Sequence, residues 1–302
     1  MSDFSPTIVR AVPLVLALAL LAGCNRGDAP QLQPARRAAP LPHWHFVTFG
    51  LTELFDKKSA DRDRSGYGFE LTFRVATPAG DGPPPWALGI LQALAGYILQ
   101  TGHPFAEGHS FNLQGPLTDA APTELTGLVF AADPQIEAID SAHGKVNFLQ
   151  LVPLTEDERG AAKAWSASGL LGLIAETNPL WVTELSRPSL LSDPAMARHI
   201  EEGTAREGSN LAAMMVPGVR WTAAPFGSDF TLDLPAKEIE DFKRLLAARV
   251  AHGRSLSLAA PDREADEYVR FVAAPDASVS EDEGLLTIAL TPELVATLSK
   301  AL

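Results

Sequence analysis

Two histidines, His43 and His45, lie two positions apart at the start of a predicted strand. Residues two apart share one face of a strand, so both imidazoles could bind one metal ion. A third ligand would have to come from His103 or His109, which fall in predicted loops. Histidines that flank a core tryptophan such as Trp44 are more often hydrogen-bonded structural residues. We therefore predict no metal and no cofactor.

A run of three acids, Glu156-Asp157-Glu158, follows Thr155. This order is typical of a helix N-terminus, where a hydroxyl caps the helix and acids complement its dipole. The three side chains would point in different directions, so they do not form a catalytic pair. The sequence also has no Gly-x-Ser-x-Gly elbow, no Walker-type loop, no Gly-x-Gly-x-x-Gly after a strand and no His-Glu-x-x-His. The residues alone therefore reveal no catalytic motif.

The composition is that of a folded, acidic chain. It has 302 residues, of which 46% are hydrophobic and 20% are charged, a balance that excludes a disordered chain and a protein with many membrane spans. The formal net charge of −13 argues against nucleic-acid binding, which needs a basic surface to neutralise phosphates. A single cysteine excludes an intramolecular disulfide and a cysteine-based metal cluster.

That cysteine, Cys24, follows the apolar run Ala11–Leu21. The run is short for a membrane span but suits the apolar region of a signal peptide. The tetrapeptide Leu21-Ala22-Gly23-Cys24 resembles the lipobox of bacterial lipoproteins, in which the cysteine is lipidated. We predict a lipoprotein signal peptide over 1–23, lipidation of Cys24 and a flexible tether over 24–40. An ordinary secretory leader is the alternative.

The residue after the cysteine is Asn25 and not aspartate. In Gram-negative bacteria this favours the outer membrane over retention at the inner one. The predicted location is therefore the cell envelope, with the folded part facing the periplasm and a lipid anchor in the membrane.

Alternating apolar residues and helix-start signals divide the rest of the chain into elements. Strands are predicted at 43–49, 67–75, 124–131, 144–154, 180–185, 230–234, 255–259, 268–273 and 285–290. Helices are predicted at 86–100, 155–176, 193–208, 236–250 and after 291. Strands and helices interleave without a regular βαβ alternation, so the predicted class is α+β with mixed or antiparallel sheets and flanking helices. A composition shift at 222–227 separates an N-terminal lobe (41–222) from a smaller C-terminal lobe (229–302).

Five motifs of the chain form a recognisable series: His43–Leu54, Ser65–Arg74, Asp133-Pro134-Gln135, Gly144–Gln150 and Gly208-Ser209-Asn210-Leu211. Through these motifs the N-terminal lobe resembles the Suppressor of fused family. The likeness extends in register from 41 to about 221, and a weaker one appears in the C-terminal lobe. By this likeness the chain is identified as a bacterial member of the family.

The resemblance implies a non-enzymatic protein that binds other proteins. The animal member grips a short strand of a transcription factor between its two lobes, by β-augmentation. Position by position, the strand beside that cleft falls at Leu211–Val219. The partner-binding residues that the resemblance implies are Tyr97, His109, Glu207, Met214, Met215 and Val216. Because His109 replaces an aspartate and Pro217 interrupts the strand, we expect a different peptide specificity.

A lipoprotein of the envelope does not meet a transcription factor, so the partner must be another protein. Bacterial members of the family resemble immunity proteins, which neutralise toxins, and an acidic binder would associate quickly with a basic toxin. We therefore hypothesise toxin neutralisation. The alternatives are an envelope scaffold or adaptor lipoprotein and, less favoured, a metal-dependent hydrolase built on the histidines.

Overall fold

A computed structural model describes residues 14–20, 41–53, 55–77, 82–223, 230–260 and 268–301. The chain divides into two compact units. Unit 1 comprises Met1–Thr155 and Gly172–Pro188, and unit 2 comprises Glu156–Leu171 and Ser189–Leu302. Within the described residues, no helix has the length and apolar content needed to traverse a bilayer. Cys24 and the predicted tether lie outside the described residues.

Unit 1 is built on a mixed sheet of seven strands. Its elements are β1 (Leu14–Leu20), β2 (His43–Phe49), β3 (Arg64–Ala76), α1 (Pro85–Thr101), β4 (Ser110–Asn112), β5 (Leu125–Ala132), β6 (Ile139–Ser141) and β7 (Gly144–Thr155). The strand order is β1-β2-β3-β7-β5-β4, with β6 also pairing with β7. Among the strand pairs of the described part of this sheet, β3–β7 alone is parallel. β1 belongs to the predicted leader and pairs with β2 along its whole length.

The core of unit 1 forms between the sheet and α1. β3 is buried without interruption from Phe69 to Val75, since it lies in the middle of the sheet. Helix α1 begins with Pro85, whose fixed φ suits a first turn, and ends at Gly102 in the left-handed conformation. Its buried side chains, such as Leu91 and Ile98, pack against this core.

A buried carboxylate, Glu70, holds the loop that follows β2. It accepts hydrogen bonds from the Thr48 hydroxyl at 2.7 Å, the Gly50 amide at 3.1 Å and the Thr52 amide at 2.9 Å. The chain then passes so close to Gly66 that a Cβ there would lie 2.6 Å from the Leu51 carbonyl oxygen. These contacts give the family-like motifs of β2 and β3 a structural role.

Unit 2 combines two sheets with flanking helices. Its elements are α2 (Glu156–Ala164), α4 (Pro194–Glu207), β8 (Ala213–Met215), β9 (Arg220–Ala223), β10 (Phe230–Asp233), α5 (Ile239–Arg249), β11 (Leu256–Ala259), β12 (Val269–Ala273), β13 (Ser278–Asp282), β14 (Leu285–Leu290) and α6 (Pro292–Ala301). The larger sheet has the order β13-β14-β12-β11-β8, and β9 pairs with β10. β8 is parallel to β11, and β12 is parallel to β14. The class predicted from the sequence, α+β with mixed sheets, is confirmed.

Two predicted elements differ in the structure. The predicted helix 155–176 is two helices, α2 and α3 (Ala167–Ala175), because the chain breaks at Ser166, whose hydroxyl accepts a hydrogen bond from the Gly169 amide at 3.1 Å. The predicted strand 180–185 is one isolated bridge between Thr183 and Val75.

The division between the units also differs from the predicted lobes. Residues 189–223 belong to unit 2 and not to the N-terminal lobe. The reason is strand pairing, since β8 pairs with β11 and β9 pairs with β10. Strand partners distant in sequence leave no mark in local composition, so the shift at 222–227 did not reveal this division.

Candidate functional site

β4 lies at one edge of the unit 1 sheet, and within the described residues it pairs only with β5. The amide of Phe130 donates to the His109 carbonyl at 3.0 Å, which fixes the residues that face β5. Along an antiparallel strand, the N–H and C=O groups of successive residues point alternately toward and away from the neighbouring strand. The main-chain groups of Ser110 and Asn112 therefore point away from β5. This edge can therefore accept a further strand.

An aromatic cluster stands beside β4. The ring of Tyr97 stacks on Phe105 with centroids 5.7 Å apart and meets Phe111 edge-on at 5.8 Å. Phe105 in turn stacks on the buried Phe130 at 4.1 Å. Tyr97 nevertheless keeps 39% of its surface exposed. It is therefore a firmly held aromatic side chain next to a free strand edge, a combination typical of binding anchors.

His109, the residue before β4, is exposed as a whole, but one nitrogen of its ring points toward its own loop. Its Nδ1 accepts a hydrogen bond from the Ala106 amide at 3.2 Å, so the neutral ring carries its proton on Nε2. Partial burial of the ring lowers the pKa of His109, which favours the neutral form. His109 thus presents an N–H donor immediately before β4.

A second free edge lies in unit 2, where β8 ends the larger sheet within the described residues. The Val216 amide donates to the Ala259 carbonyl at 2.9 Å, so the main-chain groups of Ala213 and Met215 point away from β11. The Met215 side chain is 56% exposed, whereas Met214 and Val216 are buried in the core. Of the three predicted contact residues on this segment, Met215 alone offers its side chain to a partner.

The Gly208-Ser209-Asn210 motif anchors the chain that leads into β8. Gly208 has φ +63°, and a Cβ there would lie 2.4 Å from the Ala248 carbonyl oxygen. The Ser209 amide donates to that same carbonyl at 2.7 Å, and its hydroxyl donates to the Lys163 carbonyl at 2.5 Å. Arg249 donates to the Ser209 carbonyl at 2.9 Å. The motif therefore fixes where β8 begins.

Glu207, also predicted to contact a partner, is engaged inside unit 2. Its carboxylate accepts from the Trp165 indole N–H at 2.7 Å and from the Arg206 guanidinium at 2.5 Å. These hydrogen bonds to Arg206 and Trp165 lower the pKa of Glu207. The carboxylate holds the end of α4 against the indole, although its side chain remains partly exposed.

The histidine pair of β2 belongs to a buried polar network. His45 Nε2 lies 3.2 Å from the Asp133 carboxylate, which Arg74 grips with two hydrogen bonds of 2.8 and 2.9 Å. The hydrogen bonds from His45, Arg74 and Thr72 hold the pKa of Asp133 far below its usual range, although burial alone would raise it. His43 Nδ1 bonds to the Leu41 carbonyl at 2.6 Å. This arrangement is structural.

The metal-site alternative lacks its third ligand. In the part of the chain that the structure describes, no group of three or more His, Cys, Asp or Glu side chains is arranged to hold a metal ion. His109 bonds to its own loop, and His103 is exposed.

Comparison with known proteins identifies the family to which this architecture belongs. The family model for the Suppressor of fused protein matches residues 31–188, which is more than half of the chain. The chain belongs to the Suppressor of fused family. The human and mouse Suppressor of fused homologs are each 30% identical to it over 184 residues, covering 57% of this chain. The matched segment spans 38% of the length of those two relatives.

The fold agrees with the same family. A crystal structure of Drosophila Suppressor of Fused superposes with a TM-score of 0.67 at 21% identity, covering 86% of this chain and 78% of that one. The resemblance inferred from the motifs is thus confirmed, and so is the two-domain α+β fold. The motif residues Glu70, Asp133 and Ser209 build the frame of this family member, while Tyr97, His109 and Met215 lie exposed beside its two strand edges.

Sequence reasoning missed β4 itself. Its three residues, Ser-Phe-Asn, alternate polar and aromatic side chains, but a run this short cannot be distinguished from a loop.

Proposed function

We propose that the chain is a non-enzymatic binding module that captures an extended segment of a partner protein by adding it to a strand edge. The observation that carries this proposal is the outward-pointing main chain of Ser110 and Asn112, next to the exposed ring of Tyr97. Main-chain hydrogen bonds supply affinity in such complexes, and side chains beside the edge supply specificity. The outward main chain of Ala213 and Met215 gives unit 2 a comparable edge.

The partner that we propose is a toxin, with the chain acting as its immunity protein in the cell envelope. The net charge of −13 supports a basic partner, since opposite charges speed association. The lipobox-like Leu21-Ala22-Gly23-Cys24 supports an anchored protein that faces the periplasm, and it equally suits an envelope scaffold. A toxin that acts in the periplasm or on the envelope fits that location.

The test is crosslinked capture from the native envelope with three tagged forms of the full chain. Asn112→Pro removes the outward amide without touching the bonds to β5, a change that edge strands tolerate. Asn112→Ala keeps the amide but, like the proline, loses the side-chain bond to the Gln114 amide. We expect one partner to be retained by wild type and Asn112→Ala and lost by Asn112→Pro. Equal capture by all three forms would refute the use of this edge.

The captured partner then separates toxin immunity from scaffolding. When the partner is produced alone in the periplasm of a test bacterium, a toxin arrests growth. Co-production of the wild-type chain should restore growth and co-production of Asn112→Pro should not. A partner that leaves growth unaffected would instead support the scaffold.

A further inference from the structure

Unit 1 contains a cavity of about 700 Å³ next to β4. It lies between the segment 104–109, the segment 132–138 and residues at the starts of β3 and β7. His109 lines the cavity and immediately precedes β4, so the cavity adjoins the strand edge described above. Its volume is in the range of sites that take a small ligand or a long side chain.

Several of the residues that line the cavity are aromatic. Tyr67, Phe105 and Phe148 line it, and Phe105 is held in place by its stacking on Phe130. Rings of this kind pack well against the methylene stem of a lysine or arginine and attract its charged head.

The charges around the cavity are predominantly negative. Glu107 and Glu137 line it and are exposed, and within the described residues neither has a basic side chain at ion-pair distance. The carboxylate of Asp133 is already paired with Arg74. Arg64 is the basic residue of the lining, and its Nε lies 3.5 Å from the Asp61 carboxylate.

We infer that this cavity is a specificity pocket for a lysine or arginine side chain of the segment that pairs with β4. The inference rests on the proposed function, because the basic residue belongs to the captured segment. Its stem packs against the rings, and its charged head lies between Glu107 and Glu137. Acidic side chains are repelled from the pocket, which restricts the partner segments that this edge accepts.

The test is an NMR titration of the full chain with two small probes, Nα-acetyl-arginine methylamide and the corresponding citrulline compound. Citrulline has nearly the same shape as arginine but no charge. We expect amide shifts confined to 104–109, 132–138 and 147–149, with arginine binding about two- to fivefold more tightly, as exposed ion pairs give. Glu107→Gln with Glu137→Gln should abolish that preference. Glu201→Gln with Glu202→Gln, on exposed glutamates of α4, should preserve it.

Equal binding of the two probes, shifts elsewhere in the chain, or an unchanged preference in the Glu107/Glu137 variant would each overturn the inference. The result is independent of the capture experiment. If arginine fails to bind while Asn112→Pro loses the partner, the pocket inference fails and the proposed function stands. If arginine binds but Asn112→Pro retains the partner, the strand-edge proposal fails.

Discussion

At the scale of single residues, Asp133 shows how a buried charge can organise a sheet. It joins β2 through His45, β3 through Arg74 and Thr72, and the start of its own loop through the Gln135 amide at 2.9 Å. Removing one partner of a buried ion pair leaves the other charge uncompensated, which costs more than the pair itself contributes. The network therefore makes the fold dependent on one carboxylate.

We predict that Asp133→Asn lowers the free energy of unfolding by about 3–5 kcal/mol at neutral pH. The folded pKa of Asp133 is depressed, so its stabilisation is present above the pKa of an unfolded aspartate and is lost as the pH falls toward the folded value. The difference in the free energy of unfolding between wild type and variant, measured by urea denaturation, should therefore become smaller below about pH 4. Asp140→Asn, an exposed acid of β6, is the control and should change stability by less than about 0.5 kcal/mol. A gap that is constant with pH would contradict this account.

At the scale of elements, the position of β8 depends on the turn at Gly208. The left-handed φ and the contact with the Ala248 carbonyl leave no room for a side chain there. By contrast, Gly89 lies on the exposed face of α1 with nothing near its missing Cβ. Replacement by alanine should therefore change the stability in opposite directions at these two glycines.

Gly208→Ala should destabilise unit 2 by more than about 1 kcal/mol, because the new Cβ meets backbone in a strained conformation. Gly89→Ala should stabilise by about 0.5–1 kcal/mol, the propensity gain in a helix interior. Thermal unfolding measures whether each variant is less or more stable than the wild type. Hydrogen exchange at β8 and β11 shows whether the loss of stability in Gly208→Ala is located at these strands. Unchanged exchange at β8 in the Gly208 variant would show that the turn does not hold the strand.

Elements with strong periodic patterns were predictable from the sequence, and those defined by distant partners were not. β2 and α1 were anticipated within two residues at each end, because burial of one face imposes alternation or helical spacing. β4 is too short to show a period. β8 lies within the strand 211–219 that the resemblance implied, but its pairing with β11 has no local signal in the sequence. The candidate contacts were placed by resemblance, which does not show which of them are buried. Val216 is buried because it lies two positions after Met214, and both side chains pack into the core of unit 2.

At the scale of the whole molecule, two separately packed units each leave a short strand edge free within the described residues. Under the proposed function, the net negative charge and the predicted anchor would set where and how fast the chain meets its partner. Both properties belong to the full chain rather than to any one element.

Cys24→Ser should move the protein from the membrane fraction to the soluble periplasmic fraction, because the lipid anchor requires the thiol. Incorporation of labelled palmitate should disappear with it. Asn25→Asp keeps the thiol and, in a Gram-negative host, should instead shift the protein from the outer to the inner membrane. Continued sedimentation of the Cys24 variant with membranes would refute the lipoprotein prediction.

The frame and the contact surface of unit 1 use different residues, and this has an evolutionary consequence. Glu70 and Asp133 keep their hydrogen bonds within the frame, whereas Glu107 and His109 project from the loop before β4 and take no part in those networks. Under the proposed function, substitutions of the exposed Glu107 are therefore expected to change the partner preference with little effect on folding. A lineage that confronts a succession of new partners can diversify there rapidly while its architecture stays the same.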